Sequence, residues 1–382
     1  MRKNFYDTSD LERLEDEKLA EYAVKSSKSL GRKIAEEKHP YRTAFQRDRD
    51  RIIYSAAFRR LEEKTQVYYD LNSNDFRTRL THTLEVAQTA RIASGALGLN
   101  SDLAEAIACA HDIGHPPFGH QGEELLNRLV CEHVECHENI CVGYEHNLQS
   151  LRIVDFIEDK YPEFPGLNLT FEVLRGIAKY NNHYPGEYTK YDDVFSLPKS
   201  FEALVVDKCD RISYLAHDLE DALMAGYLDI NRIKDQPLVK LVMKSTGVEY
   251  CKLPNAKQIH LLVRDFKNFI VTEFIHECAI QLENWDSKTA NSHEFINYPN
   301  KLIPLIDGFY DFLYTYFYEE KAFKEIVREN TKAIDDLFRY YIKNPQMLPP
   351  DNYNLSIVRR VSDYIASHSD RSILVLHKTQ LK

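Results

Sequence analysis

His82, the adjacent pair His111-Asp112, and Asp210 are the residues of this chain with the most chemistry in them. The pair closes an apolar run in Cys109-Ala110-His111-Asp112-Ile113-Gly114-His115-Pro116-Pro117-Phe118-Gly119-His120. A His followed directly by an Asp sets an imidazole nitrogen beside a carboxylate oxygen, a donor set that suits a borderline-hard divalent metal. One earlier His and one later Asp complete a His/His-Asp/Asp set. An octahedral metal held this way keeps positions open for water and a phosphate oxygen. A lone His on an amphipathic helix is ordinarily a packed core residue. His82, however, follows Arg79 by three residues, so a phosphate-binding guanidinium shares its helix face. His115, His120, Glu123 and His146 surround the same motif. One His in a Gly/Pro loop is ordinarily a solvated turn residue, but three with a Glu beside a His-Asp pair make a second chemical group. The spacing of His120 and Glu123 lets the carboxylate orient the imidazole.

Helices must position these side chains. Thr81 to Leu97 places Val86, Ala90, Ala93 and Leu97 at helical intervals. Asn100-Ser101-Asp102 reads as an N-cap for a helix over Leu103 to Ala110. That helix delivers His111 and Asp112 at its end, where Gly114 and Pro116-Pro117 stop it. Ser200 to Met224 is a third helical pattern, and it puts Asp210, Tyr214 and Asp218 near one face. Strand signals are few, though Val67-Tyr68-Tyr69 with Phe76 suggests a short hairpin arm. From Gln258 to Tyr341 the pattern is helical and aromatic, with Phe266, Phe269, Phe274, Phe309, Tyr310, Phe312, Tyr314 and Phe317 expected in core and subunit contacts. The expectation is an all-α protein: an N-terminal arm (1–40), a helical core built around the His-Asp motif (41–240) and a helical C-terminal lobe packed on it (241–382).

The motif set resembles the HD superfamily of metal-dependent phosphohydrolases. More specifically, the chain is similar to the deoxyguanosine-triphosphate triphosphohydrolase-like family. Five further blocks carry that likeness in order: Arg47 through Leu61, Lys64-Thr65-Gln66-Val67, Arg77 through His82, Glu145-His146-Asn147-Leu148-Gln149-Ser150, and His217-Asp218-Leu219-Glu220-Asp221. A C-terminal stretch, Asp363 to Arg371, resembles the family more loosely. The resemblance assigns His82, His111, Asp112 and Asp210 to the metal, with Mn²⁺ or Mg²⁺ favoured over Fe²⁺, Co²⁺ or Zn²⁺. Family registration selects Asp210 rather than Asp207, because Tyr214 and Asp218 then fall at the family spacing. It implies that His120 and Glu123 activate or position water, and that His115 and His146 contact phosphate, His146 also protonating the leaving oxygen. Arg79, with Arg59, Lys179 and Arg211, would neutralise the triphosphate. Tyr214 would exclude a ribose 2′-hydroxyl, and Asp218 with Gln66 would hold the 3′-hydroxyl. The implied reaction is attack of water on the α-phosphorus of a dNTP, giving deoxynucleoside and inorganic triphosphate. The resemblance also allows a regulatory dNTP and suggests a homo-oligomer, tetramer or hexamer. The rival readings are an HD phosphohydrolase of monophosphates, cyclic dinucleotides or ppGpp, and a nucleotide-sensing or single-strand-DNA-binding protein.

The 382 residues suffice for a large core. A formal charge of -10 argues against single-stranded DNA as a main partner. No apolar run approaches membrane-spanning length, and the N-terminus lacks a signal-peptide core, so a cytoplasmic protein is expected. No P-loop and no nucleophile elbow occur. Seven cysteines without disulfide spacing predict reduced thiols. Cys131, His133, Cys136, His137 and Cys141 lack a C-x₂-C knuckle, which favours a Cys/His-rich loop over a structural zinc site.

Overall fold

The computed structural model describes residues 5–66, 77–133, 143–179, 186–253, 255–286, 292–350 and 354–381. Its longer helices are α1 (Thr8–Lys18), α2 (Ala44–Ile53), α3 (Arg79–Ala96), α4 (Ser101–Ala110), α5 (Gly119–Cys131), α6 (His146–Arg152), α7 (Phe171–Ile177), α8 (Phe201–Met224), α9 (Pro237–Thr246), α10 (Asn255–Leu282), α11 (Ile303–Leu313), α12 (Lys321–Lys343), α13 (Ile357–Ala366) and α14 (Asp370–Gln380). Only isolated bridges, such as Thr65 with Thr78, stand in for strands among the described residues. The fold is all-α, as expected. The hairpin arm expected at Val67 to Phe76 lies outside the described residues.

Local chemistry starts the three helices that matter most. Thr78 caps α3 by accepting from the Thr81 N–H. Asn100 caps α4, its side chain accepting from the Asp102 and Leu103 N–H groups at 3.1 and 3.2 Å. Ser200 caps α8 by accepting from the Ala203 N–H. Each such cap is worth about 1 kcal/mol against Ala. The three helices then bury one shared face. Val86, Ala90 and Ala93 of α3, Leu103, Ala106 and Ile107 of α4, and Ile212, Leu215 and Leu219 of α8 are all within 1 % of full burial. Small residues let α3 and α4 approach closely, and each large aliphatic contributes about 1.5–3 kcal/mol. A charge at Ala90 or Ala106 would break that face.

A second apolar cluster joins α5 to the C-terminal helices. Leu126, Leu129 and Val130 of α5 pack with Ile334, Leu337 and Phe338 of α12, Val361 and Ile365 of α13, and Ile373 of α14. Polar ties reinforce it. Asp370 accepts from the Thr65 and Phe118 N–H groups, both at 2.8 Å. The buried Lys64 ammonium donates to the carbonyls of His115 and Ala366. Asp363 binds the Arg152 guanidinium and accepts from Gln149. The C-terminal chain therefore braces the loop that follows the His-Asp pair.

The thiol expectation needs one correction. Cys109, Cys209, Cys251 and Cys278 are free, but Cys131 is disulfide-bonded, with its partner outside the described residues. Cysteine count and spacing do not report which thiols meet in space. No described helix is long and apolar enough to cross a membrane.

Candidate active site

α3, α4 and α8 bring His82, His111, Asp112 and Asp210 to one point. His82 Nε2 lies 3.1 Å from Asp210 Oδ1 and 3.9 Å from Asp112 Oδ2. His111 Nε2 lies 3.3 Å from Asp112 Oδ1 and 3.6 Å from Asp210 Oδ1. These spacings match the edges of a coordination shell with bonds of about 2.1 Å. The proton positions argue the same way. His111 Nδ1 donates to the Ala108 carbonyl at 2.6 Å, which leaves its Nε2 lone pair inward. That buried nitrogen has no hydrogen-bond partner among the described residues, yet it faces two carboxylates. Positive charge must sit between them, and a divalent cation satisfies the set. Burial disfavours a charged His111, but Asp112 and Asp210 outweigh that and push its pKa up to about 9. Burial opposes charge on Asp112 and Asp210 too. The histidines, with Arg79 beside Asp112 and Lys179 beside Asp210, hold both well below the usual carboxylate range.

The second group stands next to the first and shares Asp112 with it. His115 Nδ1 lies 3.2 Å from Asp112 Oδ1. Its ring stacks on His146 with centroids 3.9 Å apart. Glu123 Oε1 is 2.8 Å from His146 Nδ1, and Oε2 is 3.3 Å from His120 Nδ1. Burial raises the cost of the Glu123 charge, but His146 and His120 hold it far below its ordinary pKa. Glu123 in return outweighs burial and raises the His146 pKa. Burial, Arg79 and His146 push His115 well down, so it is neutral. The backbone is shaped for this crowding. Phe118 and Gly119 take positive φ at the start of α5. A Cβ on Gly114 would meet the His146 carbonyl at 2.1 Å, so only Gly lets the loop lie against α6.

Both groups border a cleft of about 460 Å³, also lined by Gln66, Arg79, Lys179, Asp207, Arg211, Tyr214, Tyr310, Tyr314 and Tyr318. Arg79 is fully buried, and one of its Nη atoms bonds Asp112 Oδ2 at 2.8 Å. Lys179 Nζ lies 3.8 Å from Asp210 Oδ2. Arg211 is paired with Asp307 at the rim. Asp207 is tied to Lys199 at 2.8 Å. Arg59 is not in the cleft; it is exposed and donates to the Tyr54 carbonyl at 3.0 Å. Asp218 stands one hydroxyl behind the wall. Its Oδ2 accepts from Tyr318 at 2.9 Å, and Tyr318 is hydrogen-bonded to Tyr214. Burial pushes the Asp218 pKa well up, and Oδ1 has no partner among the described residues. Gln66 Oε1 is likewise buried and without a partner among the described residues.

Sequence reasoning placed Tyr310 and Tyr314 with the core aromatics and overlooked Tyr318. Phe309, Phe312 and Phe317 are buried, whereas Tyr310 and Tyr314 are exposed along the cleft. The signal was present: tyrosines recur at four-residue steps over 310–318, with phenylalanines between them. A π-turn over Tyr314–Tyr318 helps keep them on the cleft side.

Comparison with known proteins places the chain among phosphohydrolases. The HD domain family matches residues 79–215, and the phosphohydrolase-associated domain matches residues 296–379. A deoxyguanosinetriphosphate triphosphohydrolase-like protein of Leptospira interrogans is 37 % identical over 380 residues, 96 % of this chain and 97 % of that one. The protein of the same description from Syntrophus aciditrophicus is 41 % identical over 394 residues, covering 96 % and 94 % of the two chains. That from Bradyrhizobium diazoefficiens is 36 % identical over 392 residues, covering 94 % and 95 %.

Proposed function

We propose that this chain, which belongs to the deoxyguanosinetriphosphate triphosphohydrolase-like family, hydrolyses a deoxynucleoside triphosphate to deoxynucleoside and inorganic triphosphate. The observation that carries the reading is the shared wall of the two groups. Asp112 belongs to the His82/His111/Asp210 cluster and also contacts His115, so a metal-held phosphate would lie within reach of the His120-Glu123-His146 chain. A bound divalent cation, Mn²⁺ or Mg²⁺ first, supplies Lewis acidity at the α-phosphate.

The protein's own residues do the rest. Glu123 orients the His120 ring, and that pair positions the attacking water. Water gives a proton to His120 as its oxygen bonds to the α-phosphorus and the bond to the 5′-oxygen breaks. His146, whose protonated form Glu123 favours, delivers a proton to the 5′-oxygen. Arg79, Lys179 and neutral His115 line the polyphosphate path and stabilise the charge that develops. Tyr214 crowds C2′, and Gln66 holds the 3′-hydroxyl together with Asp218, which acts through the Tyr318 hydroxyl. A hydroxyl left clashing or unpaired in such a site supports strong discrimination.

Phosphorus NMR during turnover of each dNTP with Mn²⁺ tests the bond broken: triphosphate is expected, and pyrophosphate with dNMP rejects the reading. Kinetics with dGTP and GTP test the sugar site. Tyr214→Ala should erode the preference for the deoxy sugar, and Asp218→Ala should raise KM and lower kcat together. An unchanged dGTP/GTP ratio in Tyr214→Ala removes that residue from the sugar site.

A further inference from the structure

His217 and Glu85 belong to neither group, yet His217 touches the first and Glu85 backs it. His217, buried on α8, sets its Nδ1 3.0 Å from His82 Nδ1. Its Nε2 lies 2.9 Å from Glu85 Oε2. Glu85 sits three residues after His82 on α3, and is itself gripped by Lys267 of α10 at 2.9 Å and by Arg77. We infer that Glu85 and His217 are a positioning pair that holds the His82 ring by its Nδ1 with Nε2 turned toward Asp112 and Asp210; this rests on the metal site proposed above.

Two ring nitrogens 3.0 Å apart can share one hydrogen and no more. A carboxylate only accepts, so His217 Nε2 carries hydrogen toward Glu85. Between neutral rings His82 Nδ1 supplies the shared hydrogen and His217 Nδ1 accepts it, which leaves the lone pair of His82 Nε2 toward Asp112 and Asp210. Lys267 and Arg77 hold the Glu85 carboxylate in place, and Glu85 fixes the His217 ring with its Nδ1 toward His82. The four side chains thus orient the His82 ring through its Nδ1–H, and outer partners of this kind commonly govern a ligand's metal affinity.

The test needs no nucleotide. Full-length protein is stripped with chelator and titrated with Mn²⁺, with free ion read by electron paramagnetic resonance. His217→Phe, which removes the acceptor, should weaken Mn²⁺ binding about 10–100-fold, whereas His217→Asn, whose amide oxygen takes the Nδ1 position, should stay within about threefold of wild type. Glu85→Leu, at a more exposed position, should weaken binding about 10-fold. Thermal melts establish that each variant is folded, and if His217→Phe is not, the contrast between His217→Asn and Glu85→Leu decides. Unchanged affinity in folded His217→Phe or Glu85→Leu overturns the inference. So does an equal loss in the Asn and Phe variants, which would mean that packing, not the acceptor, matters. Wild type that binds no Mn²⁺ overturns the metal site itself.

Discussion

His82, His111, Asp112 and Asp210 stand on or at the ends of three helices that share one apolar face, whereas His115, His120, Glu123 and His146 stand on a loop and two helices braced from the far end of the chain. The first group inherits its geometry from helix register and close packing of α3, α4 and α8. The second depends on single polar contacts that span most of the sequence. Asp370 holds the Phe118 N–H, and Lys64 links the His115 and Ala366 carbonyls. The contrast teaches a division of labour: a seat built by helix packing for the proposed cation, and a seat tied by long-range polar contacts for the groups that would handle water and the leaving oxygen. It also gives a physical role to the C-terminal helices within the phosphohydrolase-associated region.

The largest effect should come from the helix-packed side. Asp112→Ala removes the carboxylate shared by both groups, so bound metal and activity should both be lost, the latter by about 10³-fold or more. Metal analysis and circular dichroism on the purified variant check this; a metal-loaded, active, folded Asp112→Ala would erase the site. Glu123→Ala should separate the groups. Mn²⁺ affinity should hold while kcat falls about 10²–10⁴-fold, because only water orientation and the proton on His146 are disturbed. If Mn²⁺ affinity falls along with kcat, the two groups are one unit and the comparison collapses.

Asp370→Asn tests the brace. It keeps the size of the side chain but weakens its bonds to Thr65 and Phe118. A displaced loop should lower kcat about 10–100-fold with Mn²⁺ affinity intact. Wild-type kcat in this variant would show that the loop holds itself.

The smallest effect concerns stability and pH. Burial, helped by the nearby Arg60 charge, holds the Lys64 pKa down to about 7, against about 10.4 for an unfolded lysine. Between those values the unfolded chain binds more protons than the folded one. Stability from this group therefore rises with pH across that window and is lost again as pH falls toward 7. Lys64→Met should flatten the rise by about 1–2 kcal/mol between pH 7 and 9 in urea unfolding. A slope equal to wild type would mean that Lys64 titrates alike in both states.

Much of this was legible in the residues. The cap at Asn100, the apolar spacing of α3 and α4, and the shared face of Asp210 and Tyr214 are local facts, and local hydrogen bonding and helical period dictate them. The eight proposed metal and acid-base residues could likewise be named from type and spacing with the aid of the family resemblance. What the sequence could not decide was every relation between distant elements. Arg59 sits beside true cleft residues in type but faces solvent. Asp218 shares a helix face with Asp210, yet Tyr318, from the other end of the fold, stands in front of it. Tyr310 and Tyr314 look like core until α11 packs and turns them toward the cleft. His217 is anonymous until α3 places Glu85 and His82 at its two nitrogens. Helical period fixes which residues of one helix share a face; which face meets which is settled only when the helices pack and each buried polar group finds its partner.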